Sequence, residues 1–407
     1  MIARQQILEK AQTYEPEMVR FLRELIAIPS ESSQEGRIIQ HIQHEMLKVG
    51  FDEITIDPLG NILGRIGCGK TILAIDAHVD TVGVGNIAQW KHDPYEGKFE
   101  NGIIYGRGAA DQEGAIPAMV YGAKIIKDLH LEDAYTLYMV GSVQEEDCDG
   151  LCWQYILNED HIRPECVVIT DSTDCHVRRG HRGRMEIGVT TEGISCHASA
   201  PERGENAIYK MTPIIQEIDK LNERLRHHDF LGKGTITVTY IDCQTPSFNA
   251  VPDRCYIHLD RRLTVGDTKE SAIAEVKEAI RRAGVEANVT VPVYNTPSYK
   301  GLVYDTEKYF PTWIMEEDHI AVQAAVETYQ TLFQEVVAQV GSWTFSTNGV
   351  SIAGKFGIPC VGFGPGKEEH AHSVNDQVTV AQLVKSAAFY AAFPNVYMQR
   401  KSSKQEA

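Results

Sequence analysis

Residues 71–77, TILAIDA, are nearly all apolar and show no polar alternation. A strand of this kind must be covered on both faces. It suits the centre of a parallel sheet, with helices packed above and below. The run ends directly in His78-Val79-Asp80, so a metal-ligating and an acidic residue are delivered where such a strand would emerge from the core.

The flanking sequence supports this arrangement. Segments 15–28 and 35–49 carry apolar residues near helical spacing: Val19, Leu22, Leu25 and Ile26, then Ile38, Ile39, Ile42, Met46 and Leu47. Short strand-like runs at 53–57 and 61–66 are joined at Gly60-Asn61. Residues 113–129 read as a helix, 135–143 as a strand, 150–158 as a helix and 166–170 as a strand. Strands alternating with helices predict an α/β fold with a doubly wound, mostly parallel sheet.

The pattern changes near residue 181. RMEIGVTTEG, GTITVTYIDC and RCYIHLDRRL alternate as half-exposed strands. NAIYKMTPIIQEIDKLNERL is an amphipathic helix with Pro213 as an irregularity. A second helix, DTKESAIAEVKEAIRRAG, has Asp267 or Thr268 as its cap and Gly284 as its stop. With VTVPVY following, this order predicts a compact α+β unit with one antiparallel sheet. The α/β style returns after about residue 297, with a helix over 317–340, a strand over 358–363, a helix over 379–393 and a polar tail, QRKSSKQEA, outside the core. The expected organisation is a discontinuous domain of 1–180 and 297–407 carrying an inserted domain of 181–296. A chain of 407 residues is too long for one typical core.

Composition narrows the function. A formal net charge of −17 argues against nucleic-acid and anionic-membrane partners. No run of eighteen apolar residues is present, and residues 1–18 lack the apolar segment of a secretory signal. The nine cysteines are scattered and read as reduced thiols of a cytoplasmic protein. Cys148 and Cys152 have no matching Cys/His pair, so a structural zinc site is not expected.

The ends of the strand-like runs carry the chemistry. His78 and Asp80 follow one, Glu145 and Glu146 a second, and Asp171 a third, while His370 and His372 lie in a loop beyond a fourth. Asp111 sits in the Gly-rich loop GRGAADQEG. Sites in open α/β sheets form at the carboxyl ends of strands, and His nitrogen with Asp or Glu oxygen suits divalent metals. Asp80 is spaced to orient His78 through its other ring N–H. Asp111 can bridge two metals. One of Glu145 and Glu146 can ligate while the other faces a metal-bound water and takes its proton.

The series AHVDTV, GRGAADQEG, QEED, CVVITDST and AHSVND resembles the zinc-dependent family of acetylornithine deacetylase, succinyl-diaminopimelate desuccinylase, aminoacylase and carboxypeptidase G. GISCHASAPERGENAI and NAVPDRCYIHLDRRLTVGDT resemble that family's inserted lid and dimerisation domain. VQEEDCDGLCWQYI, SCHASAPERGENAIYKM and GFGPGKEEHAH are similar to the YgeY-type hydrolases linked to selenium metabolism. The resemblance implies one metal on His78, Asp111 and Asp171, and another on Asp111, Glu146 and His372. It implies zinc, although the O/N ligand set also suits cobalt or manganese. His372 is preferred over His370 because AHSVND aligns with an Ala-His-x-x-Asn-Glu pattern, with Asp376 in place of Glu. Glu145 becomes the general base, Asp80 the orienter of His78, and His197 the oxyanion stabiliser reaching a partner's site in a homodimer. Asn249 and Arg262 match substrate-gripping positions. Phe345-Ser346-Thr347-Asn348-Gly349 stands where relatives have Gly-Gly-Thr/Ser-Asp-Ala, which makes Asn348 a substrate contact with an altered headgroup preference.

The expected activity is hydrolysis of an amide on a small amino-acid-like substrate through metal-bound hydroxide. A dipeptidase or aminopeptidase and an N-carbamoyl amidohydrolase share the same metals. A binding protein that kept the fold without the chemistry is disfavoured because every ligand position and the base are filled.

Overall fold

The computed structural model describes residues 4–132, 134–334 and 339–406. Its internal contacts divide the chain into two compact units: Met1–Gly180 with Asn295–Tyr304 and Ile314–Ala407, and His181–Tyr294 with Asp305–Trp313.

The strand Thr71–His78 lies in the first unit between two parallel neighbours, Tyr135–Ser142 and Cys166–Ile169. Cys360–Gly362 extends the parallel set beyond Cys166–Ile169. Antiparallel strands finish both sides: Ile62–Gly67 and Glu53–Ile56 on one, Val177–His181 on the other. The fold is therefore α/β with a mainly parallel central sheet, as the uninterrupted apolar run requires. Residues 72–78 are buried at all positions but Ile72, and the covering helix Ala115–Asp128 is buried around most of its circumference. Gly60 takes φ 121°, and a Cβ there would lie 2.2 Å from the Tyr299 ring. That turn therefore needs glycine for both conformation and space.

Three local expectations are corrected. A helix over Arg4–Thr13 precedes the expected ones, burying Ile7 and Ala11. The expected 317–340 helix spans Ile320–Phe333, and Val340–Trp343 is a strand; residues 335–338 lie outside the described residues. The last helix runs Val380–Glu406, through Pro394 and into the supposedly loose tail. Long polar side chains hold that extension: the Lys401 ammonium donates to the Glu165 carboxylate at 2.7 Å and to Thr71 Oγ1 at 2.8 Å. Ion-pair anchoring of this kind leaves no apolar periodicity for sequence reading to detect.

The second unit is a sheet in the order Thr235–Gln244, Arg254–Leu263, Gly183–Glu192, Asn288–Thr290, with antiparallel pairing throughout. Residues 305–313 join it because Tyr309–Phe310 pairs with Gly183–Glu192. The helices Ala207–Arg224 and Lys269–Ala283 contribute Met211, Ile214, Ile218, Val276 and Ile280 to a core with Ile187, Val189, Ile257 and Leu259. Thr268, rather than Asp267, caps the second helix in a reciprocal box with Ser271, and Gly284 stops it at φ 69°. Asp267 has another partner. Its carboxylate lies 3.1 Å from the Arg261 guanidinium, which is completely buried and also reaches Glu275 at 2.9 Å.

Arg261→Ala would deprive the Asp267 carboxylate, itself 2% exposed, of its buried cation and leave it the Thr264 N–H at 2.9 Å and the more distant Arg226 guanidinium at 3.7 Å. A loss of about 3–5 kcal/mol is expected in urea unfolding monitored by circular dichroism. A cost below about 1 kcal/mol would mean that the pair is dispensable.

Candidate active site

The register of the parallel sheet explains the convergence. His78 pairs with Ser142, and Asp76 pairs with Ile169. Glu145 then follows three residues beyond the level of His78, and Asp171 stands at that level. His78 Nε2 lies 3.2 Å from Asp111 Oδ1, 3.8 Å from Asp171 Oδ1 and 3.9 Å from Glu145 Oε2. His372 comes from the loop after Cys360–Gly362 and adopts φ 54°. Its Nε2 lies 3.2 Å from Asp111 Oδ2 and 2.8 Å from Glu146 Oε2. Asp111 therefore turns one oxygen to each imidazole. His370 is directed elsewhere, with its Nε2 3.1 Å from the Gln377 side-chain amide.

The charge balance identifies what the site can hold. Asp80, Asp111, Glu145, Glu146 and Asp171 crowd around His78 and His372. Burial pushes Glu145 well above the ordinary carboxylate range, opposed by His78 and reinforced by Asp149, Asp171 and Glu146. Burial raises Asp171 in the same way against the pull of His78, and it raises Glu146 together with the nearby charge of Asp111. Contact with Asp111 and Glu146 pushes the His372 imidazole up to about 10. Oε1 of Glu145 and Oε1 of Glu146 are buried and have no hydrogen-bond partner among the described residues. His78, Asp111 and Glu146 each offer a donor atom within 4.8 Å of the others. Excess buried carboxylate with unpartnered oxygens, two imidazoles and a carboxylate open on both sides fits divalent cations.

The supports were less legible. The Asp80 carbonyl, 2.8 Å from His78 Nδ1, occupies the orienting position expected of its carboxylate, which stands 3.7 Å away. That carboxylate is committed elsewhere: Oδ1 accepts the Glu145 N–H at 3.1 Å, and Oδ2 accepts the Glu146 N–H at 3.0 Å and the Ser32 hydroxyl at 2.6 Å. Glu35 Oε1 accepts the N–H of Gln144, which sits at φ 56°, at 3.0 Å. Three consecutive N–H groups of the Gln144-Glu145-Glu146 turn are thus held by two buried carboxylates. Ser32 and Glu35 escaped sequence reading because SESSQEG looks like an ordinary helix start.

Asn348 is also corrected. It is 1% exposed, and its amide is fully engaged beneath the site. Nδ2 donates to Asp76 Oδ2 at 2.8 Å and to Ser142 Oγ at 3.0 Å, while Oδ1 accepts from Gly150 N at 2.9 Å and Cys152 Sγ at 3.1 Å. No group remains on it for a substrate headgroup.

Within the second unit, His197 bridges to Ala250, and the Ala198 N–H donates to the Asn249 carbonyl at 2.8 Å, so the His197 and Asn249 segments adjoin. The Ser199 N–H donates to His197 Nδ1 at 3.1 Å. Nδ1 is thereby fixed as an acceptor, which places the neutral ring's proton on Nε2 as a donor. Arg262 sits near the far end of the Arg254–Leu263 strand, roughly 25 Å away by strand rise. Its Nε is 2.8 Å from Asp260 Oδ1.

Residues 74–395 match the model of the peptidase family M20/M25/M40. The YgeY protein of Escherichia coli (strain K12) is 56% identical over 390 residues, covering 95% of this chain and 96% of that one. A Bacillus subtilis (strain 168) N-formyl-4-amino-5-aminomethyl-2-methylpyrimidine deformylase is 24% identical, with 97% of each chain covered. Among solved structures, aminopeptidase PepT of Bacillus cereus ATCC 10987 superposes with a TM-score of 0.72 at 20% identity, covering 94% of this chain and 99% of that one. The YXEP protein of Bacillus subtilis, described as a dinuclear metal-binding peptidase of the M20 family, gives a TM-score of 0.67 at 15% identity, covering 96% and 99%. These two structural likenesses establish the fold.

If Asn348 belongs to the scaffold, Asn348→Ala should cost about 1–3 kcal/mol in chemical unfolding, because it leaves buried partners unsatisfied. KM should stay within about twofold, the split expected when no substrate-binding contact is removed. A many-fold rise in KM at unchanged stability would return Asn348 to the substrate site.

Proposed function

The chain belongs to the peptidase family M20/M25/M40 and is a hydrolase of amide or peptide bonds; from that premise we propose that it is a two-metal amidohydrolase that removes an acyl group from a small amino-acid-like substrate. The supporting observation is the centre itself: Asp111 with one oxygen toward each imidazole, and Glu145 beside it with a buried, unpartnered Oε1. In this reading His78, Asp111 and Asp171 hold one divalent ion, and Asp111, Glu146 and His372 hold the other. Bound there, zinc or a similar ion would polarise the scissile carbonyl and acidify a water.

The chain's own groups then move the proton. Glu145 Oε1 takes it from the attacking water and returns it to the leaving nitrogen. Burial among other acids raises its proton affinity toward the value that such a shuttle needs. Asp80 holds the main chain of this turn, so Oε1 keeps its place while its protonation changes. In a homodimer His197 reaches a partner's site and donates from Nε2 to the carbonyl oxygen as charge develops there; Asn249 and Arg262, too far apart in one chain to grip one small substrate, orient it from different protomers. Deacylation is preferred because a relative 24% identical over 97% of this chain is named a deformylase and others, 26% and 24% identical, are named succinyl-diaminopimelate desuccinylases.

A homodimer built on the second unit is part of this proposal. Thr235–Gln244 is the outer strand of its sheet, with Tyr240 57% and Ile241 53% exposed, and Phe248 stands free beyond it. A bare edge with apolar side chains is a pairing surface. Ile241→Lys should turn a dimer into a monomer in sedimentation velocity. A wild-type protein that sediments as a monomer at micromolar concentration would refute the arrangement.

Glu145→Gln should lower kcat on N-acyl amino acids by about 10²–10⁴-fold while two metals per chain are retained. Near-normal turnover would exclude Glu145 as the proton carrier. Assays of N-formyl, N-acetyl, N-succinyl and N-carbamoyl amino acids against dipeptides separate the proposed deacylase from a peptidase, which would favour the last group.

A further inference from the structure

Asp376 lies four residues after His372 and is 1% exposed. Its Oδ1 accepts the Ala110 N–H at 2.7 Å. Its Oδ2 accepts the Gly108 N–H at 2.8 Å and Arg107 Nη1 at 3.0 Å, and its carbonyl accepts the Gly106 N–H at 3.1 Å. The carboxylate is therefore fastened along the whole segment that leads into Asp111. Ala110 has a second tie, since Ser172, fully buried and adjacent to Asp171, donates its hydroxyl to the Ala110 carbonyl at 2.7 Å. The one peptide donor and one peptide acceptor of Ala110 thus join three loops, each carrying one of the proposed ligands.

We propose that Asp376 and Ser172 are positioning residues of the metal centre that act through Ala110, Asp376 setting the spacing of His372 to Asp111 and Ser172 that of Asp171 to Asp111. The inference rests on the ligand assignment above and adds two residues that touch neither metal nor substrate. Metal sites tolerate only small errors in ligand distance, and none of the three loops is fixed by a regular strand at its ligand. Gly366 leaves little slack, because a Cβ there would lie 2.9 Å from Ala110 Cα. Asp376→Asn keeps the shape but turns an amide N–H₂ toward a site where only donors converge. It should push the His372 loop away from Asp111. Ser172→Ala removes one hydroxyl and releases the Asp171 loop instead.

The test is calorimetric titration of chelator-stripped protein with Zn²⁺. His78→Ala and His372→Ala serve as references, each expected to delete its own binding step. Asp376→Asn should weaken the step that His372→Ala deletes by about 10–100-fold and change the other step far less; Ser172→Ala should do the reverse. Co²⁺ absorption of the half-loaded proteins gives an independent readout of which site has changed. Equal weakening of both steps by both variants, or no weakening, would overturn the proposal. If Asp376→Asn does not fold, the smaller change Ser172→Ala decides: loss confined to the Asp171 step supports the proposal, and any other pattern defeats it. Uptake of fewer than two ions by the wild type would instead overturn the ligand assignment on which the proposal stands.

Discussion

The two oxygens of Asp111 face different imidazoles, and much of the first unit serves to keep them so. One oxygen is 3.2 Å from His78 and the other 3.2 Å from His372. These histidines come from distant parts of the chain, one on a central strand and one on the loop after Cys360–Gly362. A carboxylate can be shared in this way only if its own main chain is immobile. The parallel sheet fixes His78 through register with its neighbours, but Asp111 has no strand of its own. Hydrogen bonds from outside its loop must do that work.

Those bonds come largely from other carboxylates. Asp80 accepts two successive N–H groups at Glu145-Glu146, Glu35 accepts the preceding one, and Asp376 accepts two in the Gly108-Ala110 segment. An ionised carboxylate has about four acceptor sites, so one side chain can hold several donors of a tight loop at once. Such bonds are stronger than neutral ones. The cost is more negative charge near a centre already rich in it, which makes the centre more dependent on cations.

Legibility in the sequence followed the physical origin of each feature. His78, Glu145, Glu146 and Asp171 could be anticipated because apolar runs mark strands, and parallel strands deliver their carboxyl ends to one edge. The mainly parallel sheet and the antiparallel second sheet followed from continuous and alternating apolar patterns. Asn348 was misplaced because burial of an amide depends on its partners, here Asp76, Ser142, Gly150 and Cys152, which are distant in sequence. The role of Asp80 was assigned to its carboxylate because spacing alone cannot tell which oxygen meets a ring. The helix through residue 406 was invisible because Lys401 and Glu165 hold it, and a lysine on a polar tail looks the same whether or not it has a partner.

The buried acids around the centre differ in how completely their oxygens are used. Asp80 and Asp376 each accept on both oxygens from fixed donors. Glu145 and Glu146 each keep a buried Oε1 with no partner among the described residues. Leaving such an atom unsatisfied costs free energy; Glu35 Oε2 and Asp76 Oδ1 share that property, and what sets the two glutamates apart is that they also face His78 and His372. The two glutamates nevertheless sit on a turn whose main chain is fully tied down. A rigid backbone beneath an unsatisfied carboxylate suits the roles proposed for them, Glu146 binding a cation and Glu145 a transferring proton.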